Sequence, residues 1–228
     1  MNRLSIEEAV RINVDSISLD GDLAVPAGAS GLVLFAHGSG SSRHSPRNRY
    51  VARQLQAAGV GTLLLDLLTR DEELADARTG YLRFDISLLA DRLGGATAWL
   101  ANDPRTSPLK IGYFGASTGA AAALVAAARR PEQISAVVSR GGRPDLAGPA
   151  LPAVKAPTLL IVGGDDTPVI PLNEYALGRL GSPIKKLMIV PGASHLFEEP
   201  GTLDEVARLA AEWFMRYVGS EPRTQRTE

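Results

Sequence analysis

The chain has 228 residues, a formal net charge of −1 and no cysteine, which excludes disulfides, thiolate metal sites and a cysteine nucleophile. Near-neutral charge also argues against a protein that grips a phosphate backbone, since nucleic-acid binding draws on clustered Lys and Arg. At 45% apolar and 21% charged residues the composition is ordinary globular usage, and the length suits one α/β domain with a two-sided core.

The N-terminus places Glu7 and Glu8 where a secretory signal needs an apolar stretch, and no run approaches a membrane span, so a cytoplasmic protein with no membrane partner is expected. Short apolar runs at 10–14, 17–19 and 23–25, with Asp20-Gly21-Asp22 as a turn between the last two, predict an antiparallel edge. Runs rich in Val, Ile and Leu follow at 32–36, 62–65, 111–114, 136–139, 158–162 and 187–190. Helical-period segments lie at 48–58, 85–100, 118–128, 173–180 and 203–217. This alternation predicts an α/β fold: a mostly parallel twisted sheet flanked by helices on both faces, with no insertion large enough for a cap domain. The stretch 66–84, with Asp71, Glu72, Glu73, Asp76, Arg78 and Arg83, is too polar for a lipid-facing lid. In the last helix Leu203, Val206, Ala207, Ala210, Trp213, Phe214 and Tyr217 form an apolar stripe, and Thr202 with Glu205 reads as a capping box. A single domain over 1–218 and a flexible polar tail at 219–228 complete the expected organisation.

The run ending at Phe114 leads into Gly115-Ala116-Ser117-Thr118-Gly119 and then an Ala-rich helix. This is Gly-x-Ser-x-Gly in its strand, turn, helix context. The turn strains the backbone at the serine and presses helix against strand, so the flanking positions need glycine. Ser117 then projects at the carboxyl end of the sheet, and the Thr118 amide, at a helix N-terminus, can hold developing negative charge.

A serine hydroxyl needs a histidine to take its proton. Of His37, His44 and His195, the last is best placed, in Pro191-Gly192-Ala193-Ser194-His195 after the final strand. An orienting carboxylate should end a buried strand, and Thr158-Leu159-Leu160-Ile161-Val162-Gly163-Gly164-Asp165-Asp166 supplies two. Consecutive loop residues point different ways, so one of Asp165 and Asp166 is expected to face the imidazole and the other to cap the turn. The chain order Ser, acid, His is that of an α/β-hydrolase.

With these residues in hand, the sequence resembles the dienelactone-hydrolase-like branch of the α/β-hydrolase superfamily from about Leu32 to Tyr217. The matching pieces are Leu34-Phe35-Ala36-His37-Gly38-Ser39-Gly40, the segment around Ser117, Gly163-Gly164-Asp165-Asp166 and Gly192-Ala193-Ser194-His195. The resemblance implies a second oxyanion amide from Ser39, a structural His37 and the acid position at Asp166. Dienelactone hydrolases proper use cysteine where this chain has Ser117, so their substrate does not carry over. The chain is also similar to hydrolase modules that occur fused to phosphoribosyltransferase domains.

The expected activity is hydrolysis of small carboxylic esters or lactones by Ser117, His195 and Asp166, with the Ser39 and Thr118 amides on the oxyanion. Acyl transfer or perhydrolysis would use the same residues, and a catalytically silent binding scaffold is a further alternative. No cofactor is called for, and no metal, since no His-Glu-x-x-His or similar ligand cluster exists. Gly38-Ser39-Gly40 mimics part of a dinucleotide fingerprint, but Arg43 stands where its third glycine belongs. Partners reduce to a small-molecule substrate, with no nucleic acid and a homodimer left open. Arg43, Arg47, Arg140 and Arg143 fall in loops at the sheet's carboxyl edge and are candidates for binding a substrate anion. The competing reading is that they satisfy loop carbonyls and acids such as Asp145.

Overall fold

The computed structural model describes residues 4–219. The expected tail lies outside them apart from Gly219, whose amide donates to the Phe214 carbonyl at 3.2 Å. The apolar N-terminal runs merge into two long strands, β1 (Leu4–Val14) and β2 (Ile17–Pro26), paired antiparallel. The expected turn at Asp20-Gly21-Asp22 is not one; β2 runs straight through it. Gly21 is there because β2 is flanked on both sides. A Cβ on it would sit 3.0 Å from Leu63 Cδ1 and 3.2 Å from Val10 Cγ2, so the missing side chain makes room for both neighbouring strands.

The wound part follows as β3 (Gly31–Ala36), α1 (Pro46–Ala57), β4 (Gly61–Leu65), α2 (Arg70–Thr79), α3 (Ile86–Asn102), β5 (Lys110–Ala116), α4 (Thr118–Arg129) and β6 (Ile134–Arg140). It ends with β7 (Thr158–Gly163), α5 (Ile170–Arg179), β8 (Lys185–Val190) and α6 (Thr202–Tyr217). The eight strands form one sheet in the order β1-β2-β4-β3-β5-β6-β7-β8, antiparallel at the β1 edge and parallel from β4 to β8. From β3 the chain first winds outward to β4, then returns to the other side as β5. The carboxyl ends of β3 and β5 therefore flank the point where the winding reverses, the usual place for a ligand in such sheets.

Period-two alternation sorts the central strands onto two cores. Leu32, Leu34 and Tyr113 pack with Leu93 of α3 and Leu124 of α4, whereas Val33, Phe35 and Phe114 pack with Leu55 of α1 and Val206 and Phe214 of α6. Full burial of each such aliphatic side chain contributes roughly 1.5–3 kcal/mol. Among the described residues no helix is long and apolar enough to cross a membrane.

Two helix starts depart from expectation. The Thr202–Glu205 capping box does not form: Gly201, left-handed at φ 80°, is the cap, so Thr202 lies one residue too far into the helix. Its hydroxyl instead donates back to the Glu199 carbonyl at 2.8 Å, and Glu205 accepts from Arg208. A true capping box occurs where no helix was expected, at Thr69 and Glu72 ahead of α2. This helix buries only Asp76; lacking an apolar stripe, it gave no helical period to read.

Candidate active site

Ser117 joins β5 to α4 with φ 50° and ψ −121°, a left-handed conformation that costs about 1–3 kcal/mol in a residue with a side chain. Close packing holds it. A Cβ on Gly119 would lie 2.3 Å from the Ala36 carbonyl oxygen, and one on Gly115 would lie 2.4 Å from Ala120 Cα. The turn is further pinned to β6: the Ser117 amide donates to the Arg140 carbonyl at 3.3 Å, and the Arg143 amide donates to the Ser117 carbonyl at 3.1 Å.

The acid and the imidazole come from neighbouring strand ends. The Gly163 position is so tight that a Cβ would lie 2.2 Å from the Ala193 carbonyl, and the Asp165 amide donates to that same carbonyl at 3.0 Å. The turn leaves Asp165 exposed and Asp166 buried. Asp166 Oδ2 meets His195 Nδ1 at 2.7 Å. That contact assigns the Nδ1 proton to the aspartate and leaves Nε2 for a second partner. A Cβ on Gly141 would lie 3.6 Å from His195 Nδ1, so the imidazole sits over the residue next to Arg140, which holds the Ser117 amide. The Arg140–Gly141 step thus touches both the Ser117 turn and the His195 ring; among the described residues, His195 bonds to Asp166 and not to Ser117 Oγ.

The Ser39 amide donates to Thr118 Oγ1 at 2.9 Å, tying the loop after β3 to the start of α4. Both residues line a cleft of about 460 Å³, along with Leu67, Leu89, Asp76 and Arg83. The cleft reaches Thr118, one residue from Ser117. The polar segment after β4 is its outer wall, where Asp76 binds the Arg83 guanidinium and accepts the Leu82 amide at 2.6 Å. Sequence reading missed this role, and the one available signal was the Thr69–Glu72 spacing.

His37 sits behind the loop. Its Nδ1–H donates to the Gly38 carbonyl at 3.0 Å and its Nε2 accepts the Leu67 amide at 3.1 Å, an arrangement open only to a neutral ring. Burial pushes its pKa below the ordinary value, against the Gly38 carbonyl and the Asp66 charge, which pull the other way.

Three of the four loop arginines are paired with acids. Arg43 binds Asp66 and lies 3.6 Å from Asp22; Arg143 grips Asp145 through two bonds of 2.8 and 2.9 Å; Arg47 reaches Glu198 at 2.9 Å. Arg140 is not at the rim at all but buried, at 5% exposure. A position at the last residue of a strand does not reveal which way the side chain turns.

A family model described as the Dienelactone hydrolase family matches residues 19–217. The crystal structure of a dienelactone hydrolase from Anabaena variabilis is 66% identical and superposes with a TM-score of 0.92 over 93% of this chain and 98% of that one. Est1E from Butyrivibrio proteoclasticus, 15% identical, shares the fold at a TM-score of 0.77, covering 93% of this chain and 99% of that one. A Mycobacterium tuberculosis protein named "Putative phosphoribosyl transferase Rv0571c" is 56% identical over 212 residues, 93% of this chain but 47% of that protein. The chain thus spans about half the length of that relative.

Proposed function

The chain belongs to the dienelactone hydrolase family, and from that premise we propose that it is a serine hydrolase of small carboxylic esters or lactones. The observation that carries the reading is the 2.7 Å contact between His195 Nδ1 and the buried Asp166, made over the Arg140–Gly141 segment whose Arg140 carbonyl holds the amide of a serine at positive φ. His195 Nε2 takes the Ser117 proton as the hydroxyl attacks the carbonyl carbon, and Asp166 stabilises the imidazolium that forms. The tetrahedral oxyanion is held by the Thr118 amide at the start of α4 and by the Ser39 amide, which shares or gives up its bond to Thr118 Oγ1. His195 returns the proton to the leaving alcohol. It then activates water to cleave the acyl-enzyme.

Substrate enters from the cleft beside Ser39 and Thr118, whose wall mixes Leu67 and Leu89 with the Asp76–Arg83 pair; this suits short or polar acyl groups over long alkyl chains. The phosphoribosyl transferase in the relative's name describes a protein twice this length, so no such step is placed on these residues. The test is turnover of p-nitrophenyl acetate and butyrate with fluorophosphonate labelling. Wild type should label at Ser117 and release free acid, and Ser117→Ala should lose labelling and at least 10³-fold in kcat. Wild-type turnover in Ser117→Ala would remove the assignment, and transfer of the acyl group to an added alcohol in preference to water would make the protein an acyltransferase.

A further inference from the structure

Arg140 is the one lysine or arginine, among the described residues, that falls in the buried class. Its Nη2 donates to Asn48 Oδ1 at 3.3 Å, its Nε has no partner, and among the described residues no carboxylate pairs with it. The guanidinium lies 5.9 Å from the centre of the Phe197 ring, a contact that offsets part of its desolvation. Its surroundings are otherwise positive. Arg47 is close enough to repel it, and burial together with that repulsion pushes the Arg140 pKa down to about 10. Arg47 also carries a buried Nε without a partner. Both side chains gather at the first turn of α1, which holds no acid and lies at the positive end of the helix dipole.

A buried cation without an anion is a large uncompensated cost, and an apolar side chain of the same size would brace α1 without incurring it. The cluster therefore lacks a negative partner. Access lies on the Arg47 side, where Glu198, 62% exposed, forms a bridge that a ligand can displace. The carbonyl of Arg140 holds the Ser117 amide, and Glu198 is three residues beyond His195, so the cluster adjoins the reacting groups.

We infer that Arg140, Arg47 and the start of α1 form a binding site for a small oxyanion, a carboxylate or phosphate group carried by the substrate. Its assignment to the substrate rests on the hydrolase reading above; the existence of the site does not. Two guanidinium groups at one helix N-terminus match the planar, multiply accepting geometry of such groups, and Glu198 holds the place of the ligand's charge when the site is empty.

The test is binding, read by isothermal titration and by the midpoint of thermal unfolding, with inorganic phosphate and with succinate against sodium chloride of equal ionic strength. Wild type should bind one of the two saturably; phosphate alone assigns a phosphorylated substrate and succinate a carboxylated one. Arg47→Met should raise the Kd at least ten-fold, Arg140→Met should abolish binding, and Glu198→Gln should tighten it several-fold by removing the competing carboxylate. If Arg140→Met does not fold, the opposite effects of Arg47→Met and Glu198→Gln still decide the matter. No saturable binding of either anion by wild type, or equal binding in the arginine variants, would overturn the site. Binding by a protein inactive on all esters would count against the hydrolase reading alone, and ester turnover without anion binding against the site alone.

Discussion

Replacing Asp166 with asparagine keeps the shape of the site and removes one charge. In the folded protein Asp166 is 9% exposed and meets the imidazole at 2.7 Å. At that separation, and an effective dielectric constant of about 20, a unit charge pair is worth roughly 6 kcal/mol. In the proposed mechanism the imidazolium forms as Ser117 attacks, so most of this attraction would act on kcat and little on KM. An amide could also turn its NH₂ toward Nδ1 and favour the wrong tautomer, which adds to the loss. A fall in kcat of about 10⁴-fold, equivalent to about 5.4 kcal/mol, is therefore expected for Asp166→Asn with p-nitrophenyl acetate. Asp165→Asn, one residue away but exposed, is the control and should stay within about three-fold of wild type, the expectation for a solvated charge. Thermal unfolding of both variants would show whether the fold is intact. Asp166→Asn keeping kcat within ten-fold of wild type, or Asp165→Asn losing as much, would refute the reasoning.

Gly119→Ala should cost at least about 3 kcal/mol by urea unfolding, since its Cβ would enter the space of two backbone carbonyls, 2.3 Å from that of Ala36 and 2.5 Å from that of His37; a loss below 1 kcal/mol would show that the elbow can shift. His37 titrates below its ordinary 6.5 in the folded protein, so between the folded value and 6.5 the unfolded chain binds a proton that the native one does not. Its contribution is intact above pH 6.5 and declines below it by up to about 1.4 kcal/mol per pH unit. Unfolding of wild type and His37→Gln between pH 7.5 and 5 should therefore differ in slope, and parallel curves would contradict this. Thr97 Oγ1 donates to the Leu93 carbonyl at 2.9 Å and so accepts the Tyr113 hydroxyl at 2.6 Å. Tyr113→Phe removes a donor at about 1 kcal/mol, whereas Thr97→Val leaves a buried phenol unpaired at about 2 kcal/mol or more; the reverse order by denaturant titration would mean that the proton assignment is wrong.

The reading of β3 through β8 as a parallel sheet follows from apolar runs bounded by helical-period segments, and such runs survive in any tertiary setting because both sheet faces are covered. The edge strands were harder. β1 and β2 run for 11 and 10 residues but alternate between buried and more exposed positions only over Val10–Val14 and Ile17–Leu23, and Gly21 between two aspartates imitates a turn. What separates a turn from a strand there is the presence of β4 alongside, a nonlocal fact. The helix α2 escaped notice for the complementary reason: it packs through one buried carboxylate, Asp76, and not through an apolar stripe.

What the sequence by itself determined is the elbow around Ser117, the strand-end positions of Asp166 and His195, and the chain order in which they occur, because glycine requirements and apolar periodicity are local. That the Ser39 amide is bound by Thr118, and that Arg140 turns inward while Arg43 and Arg143 find acids, were decided only by the tertiary structure. Each of these depends on the direction of a side chain or amide relative to elements distant in sequence, and direction at a strand end is set by what packs there.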